Sequence, residues 1–144
     1  MSDITRVSPA EAMALLDEGW VYLDVRSEPE FAAGHPRGAR NVPIMHLGPR
    51  GMVPNTDFLP VVQALYPRDT ALVLGCRSGQ RSMHAARMLV TAGYTRVVDQ
   101  RAGFEGTKSP FGQVVEEGWS GAGLPVETET PGGFYVELRD KAGR

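Results

Sequence analysis

Ala71-Leu72-Val73-Leu74-Gly75-Cys76-Arg77-Ser78-Gly79-Gln80-Arg81-Ser82 is the stretch on which the fold turns. Ala71–Leu74 is a short apolar run with the length and composition of a strand buried on both faces. Gly75–Gly79 reads as a tight loop, and Gln80–Ala92 as a helix ended by Gly93. Strand, loop and helix in this order form half of a parallel βαβ unit. The loop therefore lies at the carboxyl end of a strand, where ligands bind in such sheets.

Upstream, Ser8-Pro9-Ala10-Glu11 combines an N-cap residue, a proline at the first helical position and a glutamate three residues after the cap. It predicts a helix to about Glu18, before Gly19. Val21–Val25 reads as a buried strand ending near a carboxylate. Ser27-Glu28-Pro29-Glu30 opens a short helix that runs through Ala33 and stops at Gly34. Pro36, Gly38, Pro43, Gly48, Pro49, Gly51 and Pro54 punctuate a long surface connection with a brief strand near Ala39–Val42. Asp57 caps a helix to about Tyr66, with Pro67 beyond it. Downstream, Arg96–Val98 supplies a further strand and Phe111–Glu117 a last helix. Gly118–Arg144 is rich in Gly, Pro and Thr and reads as a partly mobile tail with one strand at Phe134–Leu138. The alternation predicts an α/β fold: a central, mostly parallel sheet with helices on both faces.

A length of 144 residues fits one domain, and 42% hydrophobic with 22% charged residues is a globular composition. The formal charge of −2 gives no electrostatic reason to expect nucleic acid or an acidic membrane as partner. Met1–Glu11 is polar and no apolar run approaches spanning length, so a soluble, cytoplasmic protein is expected. The single cysteine cannot form an internal disulfide. His35, His46 and His84 show no ligand spacing with Cys76, so neither a metal nor another cofactor is expected.

A lone cysteine is ordinarily a small buried hydrophobe. The surroundings of Cys76 argue otherwise. The helix N-terminus offers unpaired N–H groups and a partial positive charge, and Arg77 and Arg81 add full charges, all of which favour a thiolate. Gly79 lets the chain curl so that successive N–H groups point inward as a cradle for an anion. Arg81 lies in the first helical turn, where a cation opposes the dipole unless an anion is bound. Ser78 and Ser82 are equally common as cap residues, and His84 reads as a surface or packing residue.

Leu23-Asp24-Val25-Arg26, Glu30-Phe31, Gly34-His35, Gly38-Ala39 and Asn41-Val42-Pro43, with the loop Cys76–Ser82, Ala92-Gly93-Tyr94 and Val97–Phe104, together resemble the signature of single-domain rhodanese-like sulfurtransferases. The resemblance covers about Thr5–Val126, giving a rhodanese-like domain at 1–126 and a tail at 127–144. It implies a three-layer fold and a two-step sulfur transfer from thiosulfate or a similar donor to cyanide or a thiol, through a persulfide on Cys76. It also implies binding roles for Arg77, Ser78, Gly79, Gln80, Arg81 and Ser82, with Arg77 and Arg81 attracting the dianionic donor and the N–H groups holding the persulfide. Asp24 and Arg26 are implied as structural support. The partners implied are small-molecule donors and acceptors and a sulfur-relay protein.

Two departures stand out. Ala102-Gly103-Phe104 replaces the usual pair of glycines before an aromatic, and Gly106–Gly118 replaces a short helix. Two rivals remain at this stage. Cell-cycle phosphatases of the same fold place one residue more between cysteine and arginine than the four between Cys76 and Arg81. A persulfide carrier or interaction module would keep the fold and deliver sulfur to a partner.

Overall fold

Alternating side chains on the two central strands sort the molecule into layers. The computed structural model describes residues 4–144. In chain order its elements are β1 (Thr5–Val7), α1 (Pro9–Asp17), β2 (Val21–Asp24), α2 (Glu28–Ala33), β3 (His35–Pro36), β4 (Arg40–Asn41), β5 (Met45–Gly48), β6 (Gly51–Pro54), α3 (Phe58–Leu65), β7 (Leu72–Gly75), α4 (Gln80–Thr91), β8 (Val97–Gln100), β9 (Thr107–Lys108), β10 (Val114–Glu116), β11 (Val126–Glu127) and α5 (Tyr135–Lys141).

The main sheet has the order β1-β8-β7-β2-β4, with every pairing parallel. Successive residues of a strand face opposite sides. Leu23, Leu72 and Leu74 therefore enter one core with Val61 and Val62 of α3 and Ala85, Ala86 and Leu89 of α4. Tyr22 and Val73 enter the other with Ala12 of α1, Phe31 of α2 and Trp119. This is the three-layer α/β arrangement expected. Ser8 and Glu11 form the capping box that starts α1, with Glu11 N to Ser8 Oγ at 3.1 Å and Ser8 N to Glu11 Oε1 at 2.8 Å.

Four expectations fail, each for a local reason. Phe111–Glu117 is not a helix: β9 and β10 form an antiparallel pair closed by a turn at Ser109–Gln113. Ser109 Oγ accepts from Phe111 N and Gln113 N, Gly112 takes φ +80°, and β-branched Val114 and Val115 follow, so turn chemistry and β propensity act together. The Pro- and Gly-punctuated connection also holds a second hairpin, β5–β6. Asp57 stands at the N-cap position of α3, but its carboxylate makes no cap bond and accepts from Arg144 at 2.7 Å.

The fourth concerns the expected strand at Phe134–Leu138, where the helix α5 stands instead. Tyr135 and Leu138, three apart on α5, are buried in the core beside α3. A spacing of three puts both side chains on one face of a helix, whereas in a strand they would point to opposite faces. Glu137 accepts from Gly132 N and Phe134 N at the start of α5, while Arg139 and Lys141 end it, as the dipole prefers. Tyr135 Oη also accepts from Asn55 Nδ2 at 3.2 Å. Among the described residues no helix is long and apolar enough to cross a membrane.

Candidate active site

Cys76 follows directly on β7, the middle strand of the sheet, and only 2% of its surface is exposed. Its Sγ accepts from Gly79 N–H at 3.1 Å, and the thiol donates to Ser82 Oγ at 3.4 Å. Among the described residues the N–H groups of Arg77, Ser78, Gln80, Arg81 and Ser82 find no acceptor outside the helix, and the first helical turn provides none inside it. The loop thus carries a run of unpaired donors beside the sulfur. Gly79 has φ +97°, and a Cβ there would collide with the carbonyl of Arg101, so the curl depends on glycine.

Behind the loop stands the atypical Ala102-Gly103-Phe104 segment, and its backbone is fastened to the loop. Phe104 N donates to Cys76 O at 2.8 Å and Glu105 N to Arg77 O at 3.0 Å. A Cβ at Gly103 would strike the carbonyls of Cys76 and Arg77, whereas the methyl of Ala102 is accommodated in the interior. Of the two glycine positions, only the second is sterically required here. The buried Gln100 side chain holds the segment, with Oε1 accepting from Ala102 N and Gly103 N, both at 2.9 Å, and Nε2 donating to Gly103 O at 2.8 Å.

Three arginines lie around the sulfur, and each meets a carboxylate. Arg26 makes a buried fork with Asp24, Nε to Oδ1 at 3.0 Å and Nη2 to Oδ2 at 2.8 Å. Its Nη2 also donates to Gly34 O at 2.7 Å, and its guanidinium lies 4.4 Å from the Phe104 ring centroid. Arg81 makes a second fork with Glu30, at 2.7 and 2.9 Å. Arg77 pairs with Glu105 at the surface. Burial works against charge on Glu30, but hydrogen bonds from Arg81 and from Ser27 outweigh it and hold the carboxyl at about 2. Glu30 is therefore ionised throughout the ordinary pH range.

A fourth pair supports the loop from β1 and β8. Arg6 Nε donates to Asp99 Oδ2 at 2.9 Å and Arg6 Nη2 to Gly79 O at 3.3 Å. Burial pushes the Asp99 carboxyl up, opposed by the nearby Ser82 hydroxyl and by Arg6. Three clefts lie around the loop. One, of about 530 Å³, is lined among others by Arg6, Ser78, Gly79, Gln80, Arg87 and Arg101. A second, of about 360 Å³, is lined by Arg26, Glu30, Gly34, Phe104, Glu105 and Ser120 among others. A third, of about 390 Å³, is lined among others by Arg77, Ser78, Gln80, Glu105 and Lys108.

Of the loop residues singled out in the sequence, Cys76 to Ser82, Gly79 and Ser82 contact the Cys76 sulfur, and Asp24 and Arg26 form a buried tie. The Arg77 side chain, however, is 62% exposed and Arg81 is committed to Glu30, so neither is a free cation. Glu105, Arg6, Asp99 and Gln100 carry no local signal of a role. Glu30 carries one, since its place three residues after Ser27 marks a capping box.

The chain is similar to known proteins over most of its length. The rhodanese-like domain profile matches residues 8–109. Senescence-associated protein DIN1 of Raphanus sativus is 41% identical over 100 residues, which cover 69% of this chain and 55% of that protein. This chain thus spans little more than half of that relative's length. Thiosulfate sulfurtransferase 16, chloroplastic, of Arabidopsis thaliana is 39% identical over 121 residues, covering 84% of this chain and 91% of that one. The crystal structure of Rv0390 from M. tuberculosis superposes with a TM-score of 0.74 at 30% identity, covering 89% of this chain and 100% of that one.

Proposed function

This chain belongs to the rhodanese-like domain family, and from that premise we propose that it is a sulfurtransferase that carries a sulfane sulfur on Cys76. The observation that carries the reading is the Cys76 sulfur at the start of α4, accepting from Gly79 N–H, in a loop with only four residues between Cys76 and Arg81. In the first step the Cys76 thiolate attacks the outer sulfur of thiosulfate or a similar donor. The donor's S–S bond breaks, sulfite leaves with the electron pair, and a persulfide forms. In the second step cyanide or a thiol attacks the outer sulfur, and Cys76 leaves as the thiolate.

The free N–H groups from Arg77 to Ser82 face the charge that resides on the outer sulfur, which is electrostatic stabilisation by dipoles already in place. Asp24 and Arg26 hold the neighbouring loop and touch none of the reacting atoms. A thiol that must return to its reduced form at each turnover suits a reducing compartment such as the cytoplasm.

Intact-mass measurement after incubation with thiosulfate tests the reading. The wild-type chain is expected to gain one sulfur atom, removable by cyanide, and Cys76→Ala to gain none. Cysteine-dependent hydrolysis of an aryl phosphate with no sulfur uptake would replace the proposal with a phosphatase.

A further inference from the structure

The arginines beside Cys76 are the obvious reason to expect a dianionic donor, yet none of the three is electrostatically free. Arg26 is cancelled by Asp24, Arg81 by Glu30 and Arg77 by Glu105. Glu30 is not a casual partner. Its Oε1 also accepts from Ser27 N at 3.1 Å and Ser27 Oγ at 2.9 Å, so the start of α2 anchors it in front of Arg81. A paired cation and anion leave only a dipolar field, which falls off with distance far faster than that of a lone charge and is screened by salt as well. The cleft holding Arg26 contains two carboxylates, Glu30 and Glu105, against that one arginine. Lys108, in the cleft beside Arg77, and Arg87, in the cleft beside Gly79, are the cations lining these clefts without a carboxylate partner among the described residues.

We infer that Glu30 and Glu105 determine donor choice by cancelling the charges of Arg81 and Arg77, so that the site favours a hydropersulfide, R–S–SH, over dianionic thiosulfate. The inference rests on the sulfur-transfer reading and concerns only which donor loads Cys76. The Cys76 thiolate attacks the outer sulfur of R–S–SH, the donor S–S bond breaks, and R–S⁻ leaves with the electron pair. Cys76–S–SH forms, and the donor's proton stays on the outer sulfur. One negative charge enters the step and one leaves it. With thiosulfate the same step brings two further negative charges to the mouth, where the loop N–H groups and the helix N-terminus meet them, with Lys108 and Arg87 as the unpaired cations of the flanking clefts.

The test is the rate of sulfur loading onto Cys76, followed by intact mass as a function of donor concentration, with thiosulfate and with cysteine hydropersulfide. The proteins are wild type, Glu30→Gln, Glu105→Gln and the double variant, each at low and at physiological salt. For wild type, the half-saturating thiosulfate concentration should change little with salt. In the double variant it should fall about tenfold at low salt and become salt-dependent, because two guanidinium charges are released. Loading from the hydropersulfide should change by less than about threefold, since its sulfane group carries at most one negative charge against the two of thiosulfate. Glu105 is half-exposed and caps nothing, so Glu105→Gln alone carries the test if Glu30→Gln fails to fold. A thiosulfate concentration dependence that is unmoved or weakened in Glu105→Gln, or steeply salt-dependent in wild type, overturns the inference. Absence of loading from either donor in wild type instead takes down the sulfur-transfer reading beneath it.

Discussion

The Gly75–Gly79 loop and the Ser109–Gln113 turn are both short, glycine-bearing connections, and they are held in opposite ways. At the first, Cys76 is 2% exposed; at the second, Phe111 is 93% exposed. The cysteine loop takes its shape from distant chain: the Cys76 and Arg77 carbonyls accept from Phe104 and Glu105, the Gly79 carbonyl accepts from Arg6, and Gln100 braces the wall. The turn takes its shape from itself, since Ser109 accepts from Phe111 and Gln113 a few bonds away. A connection fixed from outside holds an atom in place to a fraction of an ångström but suffers when any of its remote supports is lost. A connection fixed from within is indifferent to the rest of the molecule.

This contrast can be broken by mutation. The largest effect is expected from Gly103→Ala, whose methyl would drive into the Cys76 and Arg77 carbonyls at a residue with φ +68°. A loss of about 3 kcal/mol in urea unfolding is expected, with sulfur loading of Cys76 abolished in the remaining folded protein. Near-normal loading would mean that the wall does not shape the loop. Gln100→Ala comes next, because it leaves the buried Ala102 N–H unpaired and Gly103 N–H with only its 3.3 Å bond to the Gln100 carbonyl, and a loss of about 2 kcal/mol should appear as a lower urea midpoint at constant m. Slowed loading should accompany it, in a folded chain with the same circular dichroism. The smallest effects belong to the turn. Phe111→Ser should shift stability by no more than about 0.5 kcal/mol and leave loading unchanged, a result that thermal unfolding and the mass assay read directly. A change in loading from Phe111→Ser would show that the turn and the cysteine loop are coupled after all.

The same contrast explains what the sequence could tell. β2, β7, α1 and α4 were legible because apolar runs, a capping box and glycine stops are local signals. Cys76 to Ser82 were legible because they are consecutive. The β9–β10 pair was read as a helix because Phe111–Glu117 lies in a window too short to separate a period of 2 from one of 3.6. α5 was missed because a tail rich in Gly, Pro and Thr hides the three-residue spacing of Tyr135 and Leu138, and only packing against α3 gives that spacing meaning. Glu105 reaches Arg77 from beyond β8, and Arg6 reaches Asp99 across 93 positions. No pattern in a single sequence announces pairs of that separation, although the site's charge balance depends on them.

The pairing of β1 with β8 also sets an order of events while the chain is being made. β1 leaves the ribosome first, but its parallel partner Val98 follows 93 positions after Thr5. At ordinary elongation rates that interval is about 5–20 s. Cys76 emerges before Gly103–Glu105, which will back its loop, so for about 1–6 s the nascent thiol has neither its wall nor the β8 strand beside it. β7, meanwhile, has one edge without a partner, the kind of surface that invites association with other chains. A chaperone that shields the first hundred residues would therefore protect two things at once, an unpaired strand edge and an uncovered nucleophile.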